Sequence, residues 1–224
     1  MGILNPVVSK FSLVAGVPQE VYSCPAGKSH AIVDVSFFKD NLGSDALIAV
    51  ALSTESNPAN LTSVDYFIDD IELIGIVNSA ELNKVVVGQG ERLYLRVMQG
   101  PDVVVRVSGV EENNSKVLKA GRLAAGSIAG TTQTQIFNNN QANTAYTSAS
   151  FTIFNTSVSA NAEVQAWITT SATPGTSDKV MKITIPFNDT TIVENLLLAP
   201  NEKIFVQSSQ INCEFFVNGI VVSV

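Results

Sequence analysis

The sequence predicts an all-β protein built of two tandem antiparallel β-sandwich domains of one design, jelly-roll or Ig-like. Three observations lead there. The first is a repeat: residues 85–111 read VVVGQGERLYLRVMQGPDVVVRVSGVE and residues 196–222 read LLLAPNEKIFVQSSQINCEFFVNGIVV. Each has an apolar triplet, a turn, an acid followed by a base (Glu91-Arg92, Glu202-Lys203), an apolar strand, a polar break and a last alternating strand reaching Gly109 or Gly219. The overlay needs one gap, near Gly100. In the closing strand Val103, Val105 and Val107 fall on one side, where Cys213, Phe215 and Val217 fall in the copy, so the same face is buried twice. The second observation is the recurrence of short alternating segments with turn residues between them, as in a sandwich or barrel. The third is that few segments carry a helical period.

The chain opens on an apolar stretch, Ile3-Leu4-Asn5-Pro6-Val7-Val8, read as part of an N-terminal arm (residues 2–11) ahead of the first strand. Termini are disordered unless something holds them, so Ile3, Leu4, Val7 and Val8 are candidate contacts with a neighbouring subunit. Two corresponding segments follow, SLVAG at 12–16 and SIAG at 127–130, each leading to an aromatic strand end, Val21-Tyr22 and Ile136-Phe137. Pro25-Ala26-Gly27-Lys28 then makes a turn, with Pro presetting φ and Gly permitting a positive one. Asn138-Asn139-Asn140-Gln141 is its expected counterpart.

Alternating strands come next at 31–38 and 147–154, then polar hinges at 39–45 and 155–161, then strands at 46–53 and 162–169. Polar loops occupy 54–63 and 170–178, followed by a further strand or pair at 64–76 and 179–185. Between the copies, Glu111-Glu112-Asn113-Asn114-Ser115-Lys116 is free of apolar residues and reads as the linker. The domains are therefore 1–115, including the arm, and 116–224, a diverged repeat. With 224 residues in all, each is large enough to bury its own core.

Hydrophobic residues make up 46% of the chain, yet no apolar run approaches the roughly 20 residues of a membrane helix, and no membrane partner is expected. The net charge of −7 lies wholly in the first copy, with 7 Lys/Arg against 14 Asp/Glu up to Glu112 and 6 against 6 after it. A Lys/Arg cluster is missing, which speaks against direct nucleic-acid binding. The N-terminus lacks the basic start and apolar core of a signal peptide, so synthesis and residence in a cytoplasm are expected. Cys24 and Cys213 fall in different copies and read as two buried hydrophobes rather than a bridge.

The residues offer little chemistry. His30 is the only histidine, and it reads as a strand-end residue beside a turn rather than as a catalytic base. Two cysteines and one histidine in three places do not make a zinc site. Asp65, Asp69, Asp70 and Glu72 could supply oxygens to calcium, but no D-x-[DN]-x-[DN]-G loop contains them and a solvated acidic edge is expected. Trp167 shares a strand face with Gln165 and is the candidate ligand contact: a core residue, an interdomain contact and a sugar-stacking ring all fit its place. Four glycosylation sequons, at Asn60, Asn113, Asn155 and Asn188, are read as chance. No catalytic residue, cofactor site or metal site is assigned, and enzymatic activity is not expected.

The order Val21-Tyr22-x-x-Pro25-Ala26-Gly27-Lys28, an alternating strand, Val50-Ala51-Leu52-Ser53 and a closing Val107-Ser108-Gly109-Val110-Glu111 resembles a β-sandwich domain of tailed-bacteriophage virion proteins. The likeness covers the first domain nearly end to end. The second follows by pattern, with Leu198-Ala199-Pro200-Asn201-Glu202 and Val217-Asn218-Gly219, but lacks Pro-Ala-Gly-Lys and the final Glu. The resemblance implies a virion structural protein, assembled in a host cytoplasm, that contacts a major capsid protein or tail and neck proteins and forms a homo-oligomer. A capsid-surface decoration protein or a tail- or neck-attached protein is the leading expectation, and a carbohydrate-binding adhesin module the alternative.

Overall fold

The computed structural model describes residues 5–39, 44–75 and 79–224. Their strands are β1 (Asn5–Leu13), β2 (Gln19–Ser23), β3 (His30–Lys39), β4 (Ala46–Ser53), β5 (Tyr66–Leu73), β6 (Ser79–Gly88), β7 (Arg92–Gln99) and β8 (Val103–Glu112), then β9 (Val117–Ile128), β10 (Thr134–Asn138), β11 (Thr144–Asn155), β12 (Ala162–Thr169), β13 (Lys179–Ile185), β14 (Asp189–Leu198), β15 (Lys203–Ser208) and β16 (Cys213–Ser223). The chain divides into two compact units: Met1–Ser115 with Ala120–Arg122, and Lys116–Lys119 with Leu123–Val224.

In the first unit the early strands pair with the late ones in reverse, all antiparallel: β1 with β8, β2 with β7, β3 with β6 and β4 with β5. A long ribbon is thus folded over so that successive pairs land alternately in two sheets, ordered β1-β8-β3-β6 and β2-β7-β4-β5. Eight strands in this order form a jelly roll, which settles the alternative with an Ig-like sandwich. The second unit repeats it as β9-β16-β11-β14 and β10-β15-β12-β13. Because neighbours run antiparallel, the β1–β2, β3–β4, β5–β6 and β7–β8 loops share one end of the first unit, and their counterparts share one end of the second.

Each unit has its own core. Val33, Val35 and Phe37 alternate inward along β3 against Ile48, Val50 and Leu52 of β4, all fully buried. In the second unit Phe151, Ile153, Val164, Val206 and Val217 belong to one buried cluster. Each such side chain contributes about 1.5–3 kcal/mol on burial.

The duplication extends to irregularities. The β3–β6 register shifts between Val33 and Val35, and the β11–β14 register between Ala149 and Phe151. The residues that absorb these bulges, Lys84 and Asn195, both take a left-handed backbone (φ 58° and 59°). Gly109 and Gly219 lie so close to the neighbouring strand that a Cβ would come within 2.1 Å of the Ile32 carbonyl oxygen and 2.3 Å of that of Ser148. At the end of β3, buried Lys39 donates through Nζ to the carbonyls of Ser44, Leu73 and Gly75. At the same place in the copy, buried Asn155 donates through Nδ2 to those of Ala160, Ile185 and Pro186.

Three sequence expectations are corrected. The stretch from Asn5 to Phe11 is not an arm ahead of the first strand; it lies in β1, paired residue for residue with β8 from Asn5↔Glu111 to Leu13↔Val103. The Ala/Gly-rich β9 stands in the corresponding place of the second unit, where weak alternation hid a strand. The counterpart of the Pro25–Lys28 turn is 141–144, three residues later than expected. Lys28 N donates to Pro25 O and Thr144 N to Gln141 O, and the left-handed residue is Gly27 in one and Asn143 in the other. Asn139 is instead a buried bracket, donating to Leu198 O and Ala199 O and accepting from Thr147 Oγ1.

Candidate functional site

The separated pieces of the Tyr-x-x-Pro-Ala-Gly-Lys and Gly-x-Glu pattern meet in the first unit. Tyr22 on β2 donates through its hydroxyl to Glu111 Oε1 at 3.1 Å, and Lys28 Nζ lies 3.7 Å from Glu111 Oε2. Cys24, buried between them in sequence, has its thiol pushed up to about 11 by burial and by the carboxylates of Glu111 and Glu91. Burial, and then the neighbouring Cys24 and Glu111, push the Tyr22 hydroxyl upward as well. Both groups stay protonated near neutrality, so the cluster acts as a fastener of β2 to β8 and not as a nucleophile. The second unit has Phe137, Asn139, Thr144 and Val221 in these places, so phenol, base and acid are missing together.

His30 is buried at the start of β3. Burial holds its imidazole below the usual histidine range, against the opposing pull of Glu112, whose Oε2 lies 3.8 Å from Nε2. Ser29 Oγ is 3.0 Å from His30 Nδ1, but its proton goes to the Glu112 carbonyl and it accepts from Asn114 N. That geometry locks the strand end rather than arming a serine.

Asp65, expected on a solvated acidic edge, is buried. Its Oδ1 meets Arg122 Nη1 at 2.6 Å and its Oδ2 accepts from Thr62 N at 2.8 Å. Burial pushes its carboxyl up, but the hydrogen bonds from Thr62, Arg122 and Ser53 outweigh that and hold it below the usual carboxylate range. Among the described residues no three His, Cys, Asp or Glu side chains gather as a metal would require. Cys24 and Cys213 are both buried free thiols.

Trp167 is only 4% exposed and Lys179 Nζ sits 5.4 Å from its ring centroid, so neither ring face is open as a sugar platform. Of the four candidate subunit contacts, Ile3 and Leu4 lie outside the described residues. Val7 is half-buried and Val8 exposed on β1, the outer strand of its sheet.

Sequence reasoning passed over the apolar edge of the second unit. β13 and β14 each close one of its sheets, so each has a partner on one side only. Val180 and Ile183 on β13 and Ile192 and Leu197 on β14 are exposed. Lys179 and Lys182 on β13 and the bulge at Asn195 in β14 blunt these edges as pairing templates, yet the apolar side chains stay in water. The signal was present in the sequence as KVMKITI and DTTIVENLLL, but which strands end a sheet is a property of topology.

No family model matches the chain, and no curated protein matches it. Among solved structures, a chain of Sulfolobus turreted icosahedral virus aligns over 98% of this chain and 91% of its own, at 9% identity and a TM-score of 0.49. A chain of the T13 IBDV viral particle covers 99% of this chain and 70% of its own, at 10% identity and a TM-score of 0.30. The tandem CBM22 domain of Paenibacillus barcinonensis Xyn10C covers 100% and 92%, at 8% identity and a TM-score of 0.26. The jelly-roll assignment rests on strand order and stands without these likenesses.

Proposed function

We propose that the chain is a non-enzymatic structural component of a virus particle, held on the capsid surface by protein–protein contacts. The observation that carries this reading is the jelly-roll strand order laid down twice in one chain. Eight-stranded jelly rolls serve as capsid and lectin domains, and both uses present a rigid surface to a partner. The resemblance of residues 21–28 and 107–111 to tailed-phage virion domains supports the capsid use. The exposed Val180, Ile183, Ile192 and Leu197 supply a surface that a monomer in water gains nothing by keeping. Neighbouring copies and a major capsid protein are the partners this reading implies. Attachment at the neck or tail is the same function at another place in the particle.

Mass spectrometry of purified particles, with cryo-electron microscopy of the same sample, tests the reading. The expected result is the chain in stoichiometric amount, with paired jelly-roll density at regular capsid positions. Density on the tail or neck moves the place and keeps the function. Particles free of the chain overturn it. Carbohydrate binding, the lectin use of the fold, would fall to side chains other than the buried Trp167 and is measured on a glycan array.

A further inference from the structure

We propose that one end of the second unit seats peripherally on an uncharged lipid surface, with Val158, Phe187 and Ile211 as the inserted side chains. These three lie on separate loops, 156–161, 186–188 and 209–212, which with 129–133 form one end of the jelly roll. They are 84%, 53% and 77% exposed. Loops at the opposite end, 139–143, 170–178 and 199–202, carry no exposed large hydrophobic residue.

The tips are held outward by the frame beneath them. Asn188 N donates to Ser157 O at 2.9 Å, Phe187 N to Asn161 Oδ1 at 3.2 Å and Thr156 N to Asn212 O at 2.8 Å. Ser208 N donates to Gly130 O at 3.0 Å, and Ile211 lies against Gly130, where a Cβ would come within 3.0 Å of its Cγ2. Ser157 Oγ accepts from Ala160 N, closing a tight turn with Val158 at its crest. Asn155 braces the base. Loops so cross-linked cannot fold their apolar tips back into the core.

Charge selects the occupant. In a chain of net charge −7, these four loops contain no Asp, Glu, Lys or Arg; Asp189 and Glu163 stand close to them, at the starts of β14 and β12. Single aliphatic and aromatic side chains set apart by Ser, Thr and Asn suit insertion among lipid headgroups, where buried apolar area drives binding and headgroup charge adds to it only if the protein is basic. A hot spot for a protein partner would be richer in Trp, Tyr and Arg. The first unit also exposes Val14, Val17, Ile74 and Met98 at its corresponding end, but Asp45 and Asp102 sit among those loops, so the assignment is to the second unit. Among the described residues no helix is long and apolar enough to cross a bilayer, which bears on crossing one and not on resting against one. The inference stands apart from the virion reading.

The test is flotation of the full chain with phosphatidylcholine vesicles. The expected result is recovery with the vesicles at low and high salt alike, and a fall of about ten-fold or more in the bound fraction for the combined Val158→Ser, Phe187→Ser and Ile211→Ser variant. A second readout is Phe187→Trp, whose emission shifts to the blue on adding vesicles while the buried Trp167 stays constant; it decides the matter if the triple variant is poorly folded. No flotation, flotation unchanged in a folded triple variant, or no shift in Phe187→Trp overturns the proposal. So does light scattering that shows the triple variant falling to a smaller species, which would assign the tips to contact between copies.

Discussion

Lys39 and Asn155 occupy corresponding places, and each spends its donors on three backbone carbonyls. Removing either donor leaves buried acceptors without partners, which costs about 1–3 kcal/mol per group. Lys39→Met and Asn155→Leu should each lower stability by about 3 kcal/mol or more in urea unfolding, although the new side chains are apolar and of similar size. His30 gives a pH signature. Its folded pKa lies below the unfolded value of about 6.5, so the unfolded chain takes up the proton first as pH falls. The contribution is complete above that value and is lost as pH drops from about 6.5 toward the folded pKa. Stability measured from pH 8 to 5 should therefore fall with this slope, and His30→Phe should flatten it. His30 read correctly as a strand-end residue from sequence. The Asn155 clamp did not, because a buried amide in a Ser/Thr/Asn-rich stretch has the composition of a loop.

Register and edges decide what happens at the element scale. Gly109 and Gly219 let β8 and β16 press against β3 and β11, and a methyl group there meets backbone on a central strand pair. Gly109→Ala and Gly219→Ala should each destabilise by about 2 kcal/mol or more, as overpacking against backbone does, with thermal unfolding as the measurement. The outer strands of the second unit offer the opposite case. Val180→Lys with Leu197→Lys should leave unfolding unchanged within about 0.5 kcal/mol, since both side chains already face water. If this edge joins copies of the chain, the same pair of changes lowers the mass seen by light scattering. Strands 162–169 and 179–185 were legible because alternation and flanking turns marked both ends, and 46–53 because it is a short apolar run between polar stretches. β9 was not, since Val117–Ile128 is rich in Ala and Gly and exposed Leu118 beside exposed Lys119 breaks the alternation.

On the scale of the whole chain, the boundary does not fall cleanly at the polar linker. Ala120–Arg122 belongs with the first unit, where Arg122 N donates to the Glu91 carboxylate and Arg122 Nη1 pairs with Asp65. A fragment of residues 1–115 strands a buried Asp65 without its cation, a loss of about 3 kcal/mol. A fragment of residues 1–124 should accordingly melt several degrees above it, by roughly 4–8 °C per kcal/mol recovered in a domain of this size. Equal melting temperatures would show that Arg122 does nothing for the first unit. Local sequence signals establish that the chain is all-β and built twice on one plan, because period-two alternation, turn residues and the repeated Glu91 and Glu202 turns survive divergence. Tertiary structure alone decided that the plan is a jelly roll, that Tyr22, Lys28 and Glu111 meet, that Trp167 is covered and that the β13–β14 edge is open. Each of these depends on which distant strands become neighbours, and pairing across many residues leaves no trace in the spacing of any one segment.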